Sequence, residues 1–167
     1  MSLLDSLKKS DKEGVLYGED VCHEVLPQKF PFAFVDEILE LNVGDGTAEN
    51  PPSLVGRMHV TGEQDFFKGH FPGNPVMPGV IQIESMAQAA TLLTMIAMEE
   101  KTVGKRPAFM GVENCRFRKA VIPPTDIILK VRLTDLRMAR RGIFKYAGQV
   151  FIGEDLVTEA EFSAAMV

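Results

Sequence analysis

Cysteine and histidine are scarce in this chain of 167 residues: Cys22 and Cys115 are its only thiols, and His23, His59 and His70 its only imidazoles. Neither set falls at a metal-ligand spacing, so no metal is expected and the cysteines read as free thiols of a reducing compartment. An uninterrupted apolar run of bilayer length is also missing. The longest candidate, within 76–98, is broken by Gln82, Glu84 and Gln88 and reads as a buried helix, so no membrane association is expected. The first residues lack the charged, apolar, small-residue order of a secretory signal, which points to the cytoplasm. Positive charge is not in excess either. The net charge is −5, yet residues 101–145 hold 12 of the 18 Lys and Arg and sum to +9, leaving −14 for the rest. That balance excludes a general nucleic-acid binder and fits a localised dock for an acidic partner, or else a solvated strand face. No repeat or low-complexity segment is visible.

Hydrophobic residues make up 46% of the chain and charged ones 25%, enough for one globular domain with a real core. The reading is an N-terminal tail, frayed over its first 15 residues and extending to residue 17, followed by a single domain over 18–167. GEDVCHEVL (18–26) suits a short helix stopped by Pro27. PFAFVDEILELNV (31–43) and LVGRMHV (54–60) read as strands, separated by a loop. A long helix is expected from Pro78, suited to the first helical position, to about Glu100. Four further strands are expected over 108–122, 126–138, 144–152 and 156–167. Six antiparallel strands around one buried helix give an α+β arrangement.

Chemistry concentrates in FFKGHFPGNPVMPGVIQIESMAQAA, residues 66–90. His70 lies in a Pro/Gly-rich turn, and its side chain can act as a base near neutral pH. Glu84 lies about 9 Å up the following helix by helical rise, too deep to be a cap. Among Ile83, Met86 and Ala87 its carboxyl should be desolvated, which favours the neutral, proton-donating form. Gln88, one turn on, can orient it. Free N–H groups at the helix start supply an anion site, and Gly79 lets a substrate approach that backbone closely. A base, an acid and an anion site within one short segment suit an elimination or hydration centre. A lone histidine in a turn is more often structural, as His23 and His59 are read to be. A buried glutamate needs more explaining, because burying it unpaired is costly.

GHFPGNPVMPGV followed by ESMAQ resembles the active-site block of the FabZ-type 3-hydroxyacyl-acyl carrier protein dehydratases. The likeness extends to LPQKFPFAFVDEILEL and GVENCRFRKAVIPPTD and covers roughly residues 24–165. The FabA-type dehydratase/isomerase branch resembles the chain less, having aspartate at Glu84 and cysteine at Gly69. The resemblance implies a hot-dog fold, no cofactor, and a homodimer with a continuous sheet, in some members a trimer of dimers. It implies His70 as base and Glu84 of the other subunit as acid. Gly79 N–H would polarise the thioester carbonyl, Val76 C=O would orient His70, and Gln88 would support Glu84. The acyl chain would lie in an apolar tunnel at the dimer interface, and acyl carrier protein would dock on a basic rim, for which Arg116, Arg118, Lys119, Arg140 and Arg141 are candidates. The chain departs from the family pattern at Gln28, Ala108, Pro124 and the 44–53 loop, none of which touches His70, Glu84 or Gly79. A thioesterase using Glu84 to activate water, and a non-catalytic carrier-binding subunit, are the competing readings.

Overall fold

A computed structural model describes all 167 residues. Helix α3, Gly79–Ala97, carries apolar side chains nearly all round because it is enclosed nearly all round. It is long and apolar enough to cross a bilayer by composition, but it is the core helix of a folded domain. Six antiparallel strands wrap it: β1 (Glu37–Asn42), β2 (Ser53–Val60), β3 (Pro107–Phe117), β4 (Thr125–Leu133), β5 (Ile143–Ile152) and β6 (Asp155–Met166). Their order across the sheet is β1-β2-β4-β5-β6-β3, so β1 and β3 form its edges. This is the hot-dog fold that the resemblance implies.

Alternation along the strands sets the inner face. Leu54 and Met58 of β2, Ile127, Leu129, Val131 and Leu133 of β4, and Phe144 and Val150 of β5 are buried. They join Met86, Ala89, Leu92 and Leu93 of α3 in one core. Helix and sheet pack tightly at Gly148, where a Cβ would stand 2.8 Å from Met86 Sδ and 3.0 Å from the Phe162 ring. A side chain there would force Met86 and Phe162 to repack.

Several boundaries differ from the sequence reading: the strand expected over 108–122 ends at Phe117, the long helix ends at Ala97, and three other differences have a local reason. The strand expected from residue 31 begins at Glu37, because side-chain atoms of Gln88 take the Phe34 N–H and the Phe32 C=O. The strand expected to reach 138 stops at Leu133, where Asp135 accepts from the N–H groups of Arg137 and Met138 and caps the short helix α4, Leu136–Arg140. Pro78 is the N-cap of α3 and not its first helical residue. The N-terminal residues are also more ordered than a frayed tail. Ser2 caps α1 (Leu3–Ser6), Leu3 N–H donates to Glu99 at 2.8 Å, and Tyr17 bridges Ile38 beside α2 (Glu19–Val25).

One polar cluster breaks the apolar pattern at the β1–β2 edge. Glu37, 5% exposed, accepts from Arg57 at 2.8 Å and Lys12 at 3.1 Å, and lies 2.9 Å from His59. Burial alone raises its pKa, but the hydrogen bonds and charges of Arg57 and Lys12 outweigh burial and hold it at about 2. A carboxyl depressed in the folded state contributes stability above its unfolded value, and that contribution disappears as pH falls through the folded value. About 3 kcal/mol should therefore be lost between about pH 4.5 and pH 2. Urea unfolding of the Glu37→Gln variant should have a flatter acid limb than the parent; an unchanged slope would show that Glu37 does not carry it.

Candidate active site

His70 sits where the turn after the 3-10 segment Asp65–Lys68 folds back on itself. Phe71 and Asn74 exchange backbone hydrogen bonds at 3.1 and 2.9 Å, and Val76 N–H donates to His70 C=O at 3.0 Å. Met77 N–H then ties the segment to Val121 C=O at 2.8 Å. The imidazole stacks on Phe71 with ring centroids 4.0 Å apart. Its Nδ1 lies 2.6 Å from Val76 C=O. A carbonyl only accepts, so Nδ1 carries the proton and neutral His70 presents Nε2 as an acceptor.

The same turn delivers the start of α3. Pro78 offers no side-chain cap, and its C=O accepts from Ile81 and Gln82, which leaves the Gly79 and Val80 N–H groups ahead of the first bonded turn. His70, Val76, Gly79, Val80, Ile83 and Phe117 border one shallow cavity. A Cβ on Gly79 would meet the Phe117 ring at 2.7 Å, so the absence of a side chain lets an aromatic wall from β3 close on the helix start.

Glu84 opens elsewhere. It lines a cavity of about 120 Å³ with Gln28, Ala87, Phe109, Tyr146 and Phe162. Burial raises its pKa, and the hydrogen bond from Gln88 opposes that rise without cancelling it. Gln88 Nε2 reaches Glu84 Oε1 at 2.9 Å and Phe32 C=O at 3.0 Å, while Gln88 Oε1 accepts from Phe34 N–H at 2.7 Å. Gln88 is completely buried and bonded at both ends of its amide. Within one chain, then, His70 and Glu84 face two different cavities of the same helix. Strand β3 borders both, through Phe117 in one and Phe109 in the other.

The five basic candidates do not form one rim. Arg118 and Lys119 border the His70 cavity, paired with Glu159 at 2.7 Å and Asp155 at 3.0 Å, and exposed Arg116 lies beside them opposite Glu159. Arg140 and Arg141 lie at the far end of the sheet. Arg118 N–H bonds Val157, whereas Ile143, just after Arg141, pairs with Ala165, about 26 Å along β6 by strand rise.

His23 and His59, read from sequence as ordinary, both sit among carboxylates. His59 lies between Glu37 and Asp126, and His23 lies 3.3 Å from Asp36 and 3.7 Å from Glu19. These are polar contacts near the β1–β2 edge, and neither histidine lines a cavity with His70 or Glu84. Cys22 is fully buried and its thiol is pushed up to about 12 by burial, then by the nearby charges of Asp36, Glu37 and Asp20, so it is inert as a nucleophile. Sequence reasoning missed Gln28 as a cavity residue; its only signal there was a departure from the family pattern.

Residues 26–161 match the family model of the FabA-like domain. A 3-hydroxyacyl-[acyl-carrier-protein] dehydratase FabZ of Alkaliphilus metalliredigens is 38% identical over 144 residues, 86% of this chain and 90% of that protein. The protein of the same description from Caulobacter vibrioides is 41% identical over 142 residues, 85% of this chain and 83% of that one. Among solved structures, the dehydratase heterocomplex ApeI:P of Xenorhabdus doucetiae superposes with a TM-score of 0.68 at 13% identity, covering 87% of this chain and 90% of that one. At that identity the superposition speaks for the fold alone.

Proposed function

The chain belongs to the FabA-like domain family, among its FabZ-type dehydratases, and from that membership we propose that His70 and Glu84 remove water from a 3-hydroxyacyl thioester carried by acyl carrier protein. The observation that carries this assignment is the pairing of a histidine whose Nδ1 is committed to Val76 C=O with free N–H groups at the start of α3.

The thioester carbonyl accepts from Gly79 N–H, which stabilises charge on its oxygen as His70 Nε2 takes the proton from the neighbouring carbon. Glu84, whose proton-bearing form burial favours, gives its proton to the 3-hydroxyl as the C–O bond breaks. Water leaves, the trans-2-enoyl thioester remains, and the proton on His70 returns to Glu84 through solvent. No cofactor enters this sequence, and a cytoplasmic setting fits a carrier-bound substrate.

Two copies are needed to bring these groups together. The outer side of β3 is a long unpaired edge with Phe109, Met110, Val112 and Phe117 exposed on it. Joining two such edges gives a homodimer with a continuous sheet, in which each His70 meets the partner's acid and the acyl chain lies in the apolar space between them. Dimers can assemble further into a trimer. Incubation with carrier-bound 3-hydroxyacyl substrates of graded length, followed by mass spectrometry, tests the reaction. Enoyl product without free thiol supports it, whereas free thiol without enoyl product means hydrolysis.

Carrier protein, being acidic, would meet Arg116, Arg118 and Lys119 beside the His70 cavity, while Arg140 and Arg141 of the same chain lie at the other end of the sheet. The ion pairs of Arg118 and Lys119 are exposed and weak enough to exchange partners. Charge reversal, Arg118→Glu with Lys119→Glu, should raise KM for carrier-bound substrate roughly tenfold or more and remove its salt dependence. Turnover of a small thioester substrate should be unchanged. Equal loss on both substrates would instead place these residues in the fold or the chemistry.

A further inference from the structure

Gln28 Oε1 is the one buried side-chain nitrogen or oxygen in the chain without a hydrogen-bond partner in the protein. Other interior polar groups are satisfied: Gln82 with Thr158, Thr94 with Tyr146, and Gln88 with three separate groups. A buried acceptor without a donor bears its full desolvation cost, so a fold that retains one calls for a reason.

The cavity that Gln28 lines is the cavity of Glu84. The other polar side chains on its wall are already engaged, Thr91 with Ala87 C=O at 2.9 Å and Tyr146 with Thr94. Glu84 gives one oxygen to Gln88, which leaves its second oxygen and the Gln28 carbonyl without partners; that carbonyl is shut off from solvent, and a turn about the soft terminal torsion of Gln28 presents it to an occupant of the cavity. An occupant that satisfies both must donate to an amide oxygen while accepting from a protonated carboxyl. A hydroxyl does both.

We propose that Gln28 is a catalytic residue that holds the leaving group: its side-chain carbonyl accepts from the substrate's 3-hydroxyl and then from the water which that hydroxyl becomes. This rests on the dehydratase reading above. The electron pair of the broken C–O bond stays with oxygen, and the pair from the C–H bond opened by His70 becomes the new C=C bond. The oxygen gains the Glu84 proton. The departing water thus has two hydrogens, the original one directed to Gln28 Oε1 and the new one to the Glu84 carboxylate. In the hydration direction the same two acceptors aim a water at the double bond. Gln28 and Glu84 line this cavity within a single chain, so their cooperation does not depend on how two copies pair.

Two variants separate this role from a structural one. Gln28→Leu keeps volume and removes the acceptor, whereas Gln28→His restores a nitrogen that can accept. With carrier-bound 3-hydroxyacyl substrate, Gln28→Leu should lower kcat roughly 10- to 100-fold with KM nearly unchanged, and Gln28→His should recover most of that loss. The melting temperature of Gln28→Leu should equal or exceed the parent's, because an unsatisfied buried group has been removed. Unchanged kcat in Gln28→Leu overturns the proposal, as does a loss of kcat accompanied by a lower melting temperature and no recovery in Gln28→His. If the parent protein itself forms no enoyl product, the dehydratase reading falls and Gln28's role falls with it; an active parent with an indifferent Gln28→Leu removes Gln28 alone.

Discussion

Replacing His70 by alanine should lower kcat for enoyl formation by roughly 10³-fold, in the range a positioned general base contributes. The side chain makes one hydrogen bond within the protein, to Val76 C=O, so the core should survive its loss. His70→Asn offers a control, because its amide can still donate toward Val76 while nothing replaces Nε2 as a base. Both variants should therefore be inactive, with circular dichroism spectra close to the parent's. Steady-state kinetics with a carrier-bound substrate measures the effect. Activity within tenfold of the parent in either variant would remove His70 from the chemistry.

Glu84→Gln should be almost as damaging, roughly 10²- to 10³-fold in kcat, for a different reason. The amide retains a carbonyl oxygen for Gln88 but has no acidic proton to give. The variant should also be more stable than the parent at neutral pH. Burial raises the Glu84 pKa, so above the unfolded value the folded state binds more protons than the unfolded chain does. Stability from this group therefore falls as pH rises above the unfolded value, because the half-buried carboxylate is costlier in the folded state than in the unfolded chain. Removing the charge removes that cost. Activity of the parent should fall on the alkaline side as the donor form of Glu84 is titrated away. Thermal melts and a kcat profile against pH check both statements. A Glu84→Gln variant that is inactive but also less stable would mean that the carboxyl supports the fold, not the proton transfer.

The order of the six strands and of α2 and α3 was legible because each rests on a local pattern. Alternation in ILKVRL sets the inner face of β4, and the enclosure of α3 is written in Ala87, Ala89 and Ala90. What the sequence could not disclose depends on contacts between distant residues. Residues 31–36 look like a strand in isolation and are held out of the sheet by Gln88, more than fifty positions away. Arg140 and Arg141 share a basic stretch of sequence with Arg118, but α4 and the β4–β5 connection carry them to the opposite end of the sheet. Within the site, Pro78, Gly79, His70 and Glu84 stood out by residue type. That His70 and Glu84 face separate cavities is a property of the folded chain alone.

Gln88 has a consequence for inheritance of function. A single amide joins the acid to Phe32 and Phe34 on the stretch that follows Gln28, so the seat of the carboxyl is built jointly by two remote parts of the gene product. Grafting α3 with its preceding turn into a related scaffold would transplant the reactive groups but leave the acid unmoored. A working chimera has to carry residues 28–34 along with it.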